Sequence, residues 1–102
     1  MDRTQLISSQ PRHLKILRNG TDISAQLGVD TVKYNADGTT WGKFKDGRIE
    51  NGTWHFLNKE QTQIEVTLPR GTTRWLIIEL HDDVFRKANL DSGAEFIYSP
   101  VR

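Results

Sequence analysis

Imidazole and carboxylate side chains meet at one point of the chain, in the run His81-Asp82-Asp83. Such residue types can hold a divalent metal ion or carry out acid–base chemistry. Adjacent residues of a strand point to opposite faces, however, and a tight polar turn explains the run without a metal. The other histidines, His13 and His55, have no serine or carboxylate at a spacing that predicts a catalytic triad. The sequence therefore predicts neither an enzyme nor a metal site.

Aromatic residues form a second group that could do chemistry, because they recur along the chain with polar residues between them. Rings that line a pocket, together with tyrosine hydroxyls and indole N–H groups, orient small ligands. Arginines beside aromatic residues could pair with an acidic ligand at the mouth of such a pocket. The candidate ligand-binding residues are Tyr34, Trp41, Trp54, Phe56, Arg74, Arg86, Phe96 and Tyr98. The alternative interpretation is that the rings only form the core and the arginines only face solvent.

Composition excludes several function classes. The chain has no cysteine, which rules out disulfides, thiolate zinc sites and thiol nucleophiles. Lysine and arginine total 14 against 13 acidic residues, which gives a net charge of +1, and the basic residues are scattered among the acidic ones. Nucleic-acid binding and membrane association are therefore not expected. The apolar runs are too short to span a bilayer and the N-terminus does not resemble a signal peptide. We expect a soluble protein with no cofactor, in a compartment that the sequence does not indicate.

Glycine dipeptides divide the chain into short segments. Asp37-Gly38, Asp46-Gly47 and Asn51-Gly52 predict tight turns, because each accepts a positive φ at little cost. The segments between them alternate apolar and polar residues, as strands do, and Gly42 predicts a bulge or a close backbone approach.

These segments predict the fold class and the domain limits. We predict an all-β fold, an antiparallel up-and-down meander barrel of about eight short strands. One helical turn is expected in residues 21–28, near the N-terminus. Residues 1–11 are expected to form a flexible N-terminal arm, and residues 12–102 a single barrel domain.

An ordered set of short motifs resembles one known family. The segments "LISSQP", "NGTDI", "VKYNADGT", "NGTW", "IIELHDDVF" and "FIYSP" follow one another as in the small bacterial lipocalin-like domains, which belong to the calycin group of up-and-down barrels. The resemblance implies an antiparallel barrel, a cavity able to hold a small molecule, and no catalysis. Members typically have a tryptophan in the first strand, where this sequence has Arg12 and His13.

Two functions remain open at this point, because an eight-stranded barrel has room for either packed side chains or one small ligand. The first is a non-enzymatic, lipocalin-like domain that binds a small apolar or amphipathic molecule in the barrel cavity. The alternative is a protein–protein interaction or self-association module with a filled core. For that alternative the strand "RWLIIEL", apolar on both faces, suggests a homodimer through Trp75 and Ile77.

Overall fold

Nine strands and two short helices make up a computed structural model that describes residues 2–101. The helices are α1 (Arg3–Ser8) and α2 (Ser24–Leu27); the strands are β1 (Arg12–Arg18), β2 (Thr21–Asp22), β3 (Val29–Tyr34), β4 (Thr39–Phe44), β5 (Ile49–Phe56), β6 (Gln63–Leu68), β7 (Gly71–His81), β8 (Val84–Asn89) and β9 (Glu95–Pro100). Both described helices are far shorter than the roughly 20 residues that a bilayer span requires.

The strands follow one another around a closed antiparallel barrel. β2 forms a short hairpin with β1, and the other eight strands pair in chain order. The ring closes because β1 also pairs with β9, from Arg12 opposite Pro100 to Leu17 opposite Glu95. Closure leaves none of these eight strands with an unpaired edge. The predicted up-and-down barrel is confirmed, and α2 lies in the segment where a helical turn was expected.

Two of the three predicted glycine turns are present. Gly38 (φ +91°) lies between β3 and β4, and Gly47 (φ +94°) lies between β4 and β5. The turn predicted at Asn51-Gly52 is wrong, because both residues lie inside β5 and Gly52 does not have a positive φ. A Cβ atom at Gly52 would overlap the carbonyl oxygen of Thr67 on β6. Glycine is therefore needed at this position for the close approach of β6.

Gly42 plays a different part from the one predicted. The pairing of β4 with β5 is regular through Gly42, and the nearby irregularity lies on β3 between Val29 and Thr31. A Cβ atom at Gly42 would lie 3.9 Å from its nearest neighbours, an ordinary van der Waals distance. The prediction of a bulge or close approach at Gly42 is therefore wrong. The residue instead leaves space inside the barrel.

Helix α1 covers one end of the barrel. The Asp2 side chain accepts a hydrogen bond from the Gln5 backbone N–H, and the Gln5 side chain accepts one from the Asp2 N–H, which forms a capping box. Ile7 is fully buried in the core. Residues 3–8 were expected to belong to a flexible arm, but they form this docked helix, which the sequence analysis missed. Met1 lies outside the described residues.

Two basic side chains of the barrel donate hydrogen bonds to the last turn of α1. Arg12 is 2% exposed, and its guanidinium donates hydrogen bonds to the carbonyl oxygens of Leu6 (2.6 Å) and Ile7 (2.9 Å). The Lys33 amine donates to the carbonyl oxygen of Ser8 (2.7 Å). Carbonyl groups in the last turn of a helix lack partners within the helix, and positive charge is favourable there. Arg12 therefore helps to close the end at which the resemblance predicts a tryptophan.

Buried apolar side chains fill the interior beside α1. Tyr34 makes edge-to-face contacts with Trp54, Phe85 and Tyr98, each with ring centroids 5.7 Å apart. Such pairs add to the free energy gained by apolar burial. The cluster consists of Ile7, Tyr34, Trp54, Ile64, Val66, Trp75, Ile77, Phe85 and Tyr98. We call the end of the barrel that α1 covers the closed end, and the opposite end, at loops 45–48, 69–70 and 90–94, the open end.

Strand β7 departs from strict alternation. Trp75 and Ile77 face the interior and are 4% and 7% exposed, whereas Leu76 and Ile78 are exposed on the outer wall. A register shift after Ile77 returns Leu80 to the interior, where it packs against the core. Trp75 and Ile77 are therefore not available for the homodimer surface that the sequence suggested, because both belong to the core.

We expect alanine to have opposite effects at the two strand glycines. Gly52→Ala should lower the free energy of unfolding by about 1–3 kcal/mol, because its Cβ would collide with the backbone of β6. Gly42→Ala should leave it unchanged or raise it by up to about 1 kcal/mol, because alanine restricts the unfolded chain and fits the open space. Urea titrations of the parent and both variants measure the difference. Equal losses in the two variants would contradict the assigned backbone geometry.

Candidate functional site

The interior is hollow between the filled closed end and the loops of the open end. An inner chamber of about 80 Å³ lies deep in the barrel, and a wider mouth of about 410 Å³ lies toward the open end. The two spaces share a wall made of Val29, Leu68, Arg70, Thr73, Trp75 and Phe96. We call the inner chamber and the mouth together the cup.

The wall of the cup is mostly apolar. Small residues at Thr40, Gly42 and Thr73 leave the chamber open, in a barrel otherwise filled by larger side chains. Its apolar lining includes Leu14, Val29, Val32, Phe44, Val66, Leu68, Trp75 and Phe96. The mouth adds Ile16, Gly71, Thr72, Asn89, Ser92 and Ala94. An apolar wall with a few convergent polar groups is typical of small-molecule sites.

Lys87 is a buried polar group on the wall of the inner chamber. The strand alternation of β8 turns it inward beside buried Phe85, and it is 2% exposed. Its Nζ atom lies 3.7 Å from the centroid of the Trp75 ring and donates a hydrogen bond to the Tyr34 hydroxyl (3.0 Å). Among the described residues, no carboxylate lies within ion-pairing distance of this amine.

Burial without a counter-ion lowers the pKa of Lys87 well below its ordinary value. Desolvation of an ammonium group costs several kcal/mol. A cation–π contact in a desolvated site returns about 2 kcal/mol and one hydrogen bond to a charged group about 1.5–3 kcal/mol, so the contacts to Trp75 and Tyr34 offset only part of that cost. The cup therefore contains an amine whose proton is held weakly.

The two buried tyrosines extend this polar group. The hydroxyls of Tyr34 and Tyr98 are 3.0 Å apart and share a hydrogen bond. Burial raises the pKa of both phenols, so both stay protonated at neutral pH. Lys87, Tyr34 and Tyr98 thus form one hydrogen-bonded group at the base of the chamber, which we call the polar triad.

An ion pair stands at the upper wall of the cup. The guanidinium of Arg70, a residue of the loop between β6 and β7, donates to the Glu50 carboxylate on β5 at 3.0 Å. The Glu50 side chain is 20% exposed and borders the inner chamber, while Arg70 is 63% exposed and borders both spaces. Such a pair contributes little to stability, but it places charge where a ligand would enter.

The aromatic residues predicted to bind a ligand are distributed between the cup and the core. Tyr34, Phe96 and Tyr98 line the inner chamber. Trp41 also borders it, but its neighbours Thr40 and Gly42 face the interior, so strand alternation places the indole on the outer wall. Trp54 and Phe56 do not border the cup; they pack on each other at the closed end, with ring centroids 5.3 Å apart.

Both predicted arginines lie on the outer wall of the barrel. Arg74 pairs with Glu65 at 3.1 Å, and Arg86 pairs with Glu95 at 2.6 Å and with Glu79 at 3.4 Å. Neither residue borders the inner chamber or the mouth. The structure therefore does not bring them together with the aromatic residues of the cup.

The charged residues that do border the cup, Glu50, Arg70 and Lys87, were not predicted from the sequence. Strand alternation along "VFRKAN" held the signal for Lys87, because a core residue at Phe85 implies an inward side chain two positions later. No comparable local signal marks Glu50 or Arg70. Their approach depends on how two separate hairpins meet at the open end.

His81 and its neighbours form an ion-pair group on the outside of the barrel. The imidazole contacts the Glu79 carboxylate through Nε2 and the Asp83 carboxylate through Nδ1, both at 2.7 Å. Hydrogen bonds to Glu79 and Asp83 raise the pKa of His81, because both carboxylates favour the protonated ring. Among the described residues, no three metal-ligating side chains are grouped to hold an ion.

Comparisons with known proteins show the fold. No protein-family model and no curated protein sequence matches the chain. Among solved structures, a lipocalin-like protein from Bacteroides uniformis ATCC 8492 is similar over 93% of this chain and 98% of its own length, with a TM-score of 0.69 and 15% sequence identity. The chain therefore has the lipocalin-like, calycin-type barrel fold that the sequence resemblance predicted.

We expect Lys87→Met to raise the free energy of unfolding at pH 7 by on the order of 1 kcal/mol. Methionine keeps the length of the side chain and removes a buried amine that has no counter-ion. The gain should shrink as the pH rises toward about 9. In the parent, the unfolded chain binds a proton at Lys87 more tightly than the folded chain does, so the stability of the parent rises with pH in this window.

Urea titrations at several pH values between 7 and 9 measure this difference between the parent and Lys87→Met. The series stays below about pH 10, where tyrosines of the unfolded chain begin to ionise. Lys15→Met, on the exposed outer face of β1, is the matched control and should show no such dependence. A gain for Lys87→Met that grows with pH would contradict the weak protonation of this amine.

We expect His81 to titrate above the ordinary histidine value of about 6.5 in an NMR titration of its ring protons. Its stabilising contribution is present below that ordinary value and is lost as the pH rises through the folded-state pKa. Glu79→Gln should lower the measured pKa, because one carboxylate contact then becomes a neutral one. An unchanged pKa in this variant would show that the Glu79 contact does not form in solution.

Proposed function

We propose that the chain is a non-enzymatic, lipocalin-like domain that binds one small apolar or amphipathic molecule in the cup. The observation that supports this most directly is the uneven filling of the interior. Large side chains occupy the closed end, while Thr40, Gly42 and Thr73 leave the chamber open toward the mouth. A filled barrel would not need such small residues on its inner wall.

The dimensions of the cup suit a small ligand. The mouth, at about 410 Å³, is within the range of about 300–1,000 Å³ that is usual for small-molecule sites, and the chamber of about 80 Å³ extends it inward. Trp75 and Phe96 border both spaces, with ring centroids 4.5 Å apart. A ligand in the cup would therefore contact a continuous aromatic wall.

The placement of the histidines supports a binding role over a catalytic one. His13, His55 and His81 are all exposed on the outer wall. The polar triad inside contains an amine and two phenols, and no histidine or carboxylate of the described residues is hydrogen-bonded to them. The group can donate hydrogen bonds to a ligand, which fits recognition.

The alternative, an interaction module, has less support. Its suggested surface at Trp75 and Ile77 lies inside the barrel. On the outer wall of β7, Leu76 and Ile78 lie side by side and are 40% and 46% exposed, and two exposed apolar side chains are a small patch by the standard of protein surfaces.

A fluorescence titration with a neutral, environment-sensitive dye such as Nile red tests the proposal. The parent should bind the dye at one saturable site per chain. Gly42→Leu should weaken binding about tenfold or more, or about 1.4 kcal/mol, because the new side chain enters the chamber. Lys43→Leu is the matched control, because it adds the same side chain at the next position, on the exposed outer face of β4.

Thermal melts of both leucine variants show that they are folded before the titrations are compared. Saturable binding by the parent and by Lys43→Leu, with weakened binding by Gly42→Leu, is the expected result. Absence of saturable binding by the parent, or equal binding by the two variants, would overturn a ligand site in the cup.

A further inference from the structure

We propose that the ligand of the cup is an amphipathic carboxylic acid whose carboxylate binds the polar triad while its apolar chain extends toward the mouth. This inference rests on the proposed function and adds the chemical class of the ligand. We argue it from the buried basic groups inside the barrel and from the hydrogen-bond donors of the polar triad that lack an acceptor.

Two basic side chains lie inside the barrel, and one of them, Lys87, has no carboxylate beside it among the described residues. Arg12 and Lys87 are each 2% exposed, and the Arg12 guanidinium is hydrogen-bonded to carbonyl oxygens of α1. Among the described acidic residues, Glu50 borders the chamber, and its carboxylate is engaged with Arg70. A bound anion would supply the missing counter-charge, and buried charges require such a partner.

The polar triad also has more donors than acceptors when Lys87 is protonated. An ammonium group has three N–H donors and no acceptor, and each tyrosine hydroxyl has one O–H donor. Within the triad, Lys87 donates to Tyr34, and one hydrogen bond joins Tyr34 to Tyr98. Whichever hydroxyl donates in that second bond, the other O–H lacks an acceptor within the triad. A carboxylate, which only accepts, can receive that O–H and a further N–H of Lys87.

The apolar part of the ligand follows from the route out of the chamber. From Lys87 toward the open end, the shared wall presents Trp75, Phe96, Leu68 and Val29 before the solvent-exposed Arg70 is reached. A chain of methylene groups would bury its surface along this wall, at roughly 0.8 kcal/mol for each buried CH₂. A short, fully polar anion would leave the wall uncovered.

Binding of an acid should be coupled to protonation of Lys87. Free Lys87 holds its proton weakly, and a carboxylate beside it would favour the charged form. The charged and titratable groups around the amine are Tyr34 on β3, Tyr98 on β9, Arg12 on β1, and the Glu50–Arg70 pair at the upper wall. Both phenols stay protonated near neutral pH, so Lys87 is the group of the polar triad that takes up the proton.

Calorimetric titrations with octanoate and with 1-octanol test the inference, because the two probes share a chain and differ in the head group. The parent should bind octanoate about tenfold or more tightly than 1-octanol, the effect expected of one charge-assisted hydrogen bond. At about pH 8, binding of octanoate should also be accompanied by proton uptake at Lys87, seen as a dependence of the measured heat on the ionisation enthalpy of the buffer. 1-Octanol should show no such dependence.

Two variants assign the preference to Lys87. Lys87→Met should lose both the preference for octanoate and the proton uptake while still binding 1-octanol, because the apolar wall is unchanged. Lys15→Met removes the same charge from the exposed outer wall and should keep both properties. Melts of each variant confirm folding.

The outcomes separate this inference from the proposed function. If the parent binds both probes equally, or if Lys87→Met keeps the preference for octanoate, the inference is overturned while the cup remains a ligand site. If neither probe nor the neutral dye binds the parent, the proposed function fails as well.

Discussion

The limited interior of a closed eight-stranded barrel is the constraint on which the rest of this structure depends. Pairing of β1 with β9 fixes the cross-section, and the inward positions of each strand must then either fill the space or leave it empty. At the closed end, Tyr34, Trp54 and Phe85 fill it with rings in edge-to-face contact. Toward the open end, Gly42 and Thr73 do not. The cup results from this difference in side-chain volume along the barrel axis.

The two buried basic side chains, Arg12 and Lys87, differ in the groups that they contact inside the barrel. Arg12 donates to main-chain oxygens of Leu6 and Ile7, so its burial is linked to the docking of α1. Lys87 instead meets aromatic faces and one phenol hydroxyl. Helix carbonyl groups need donors, so the first arrangement satisfies two of these carbonyls and two guanidinium nitrogens, although the buried Nε of Arg12 has no hydrogen-bond partner among the described residues. The contacts of Lys87 offset only part of the cost of burying its amine in a cavity. Such an incompletely compensated group is found more often at functional sites than at structural ones.

Much of the fold follows from local sequence chemistry. Asp37-Gly38 and Asp46-Gly47 were predicted as turns and are turns, because a positive φ at these glycines is a local property. Asn51-Gly52 has the same local chemistry but lies in β5, where the approach of β6 decides the backbone conformation. The capping box of α1 was readable in "DRTQ", whereas its docking depends on carbonyl contacts with Arg12.

The site was less predictable than the fold. Three predicted aromatic residues, Tyr34, Phe96 and Tyr98, do line the chamber, because inward positions of a barrel serve either core or cavity. Whether an inward side chain packs in the core or borders a cavity depends on the volume of the side chains opposite it. The register of the strands decides which side chains those are. The outward positions of Arg74 and Arg86 follow from strand alternation, which places each of them beside an inward-facing core residue.

The charge state of Lys87 tests this account most directly. A ¹³C NMR titration of the lysine Cε resonances, with Lys87→Met to assign the signal, measures the pKa of this amine in the folded protein. We expect Lys87 to titrate well below the ordinary lysine value of about 10.4, because the amine is desolvated in the cup without a counter-ion. Titration of Lys87 at the ordinary value would contradict it, since the amine would then be solvated or paired with a carboxylate.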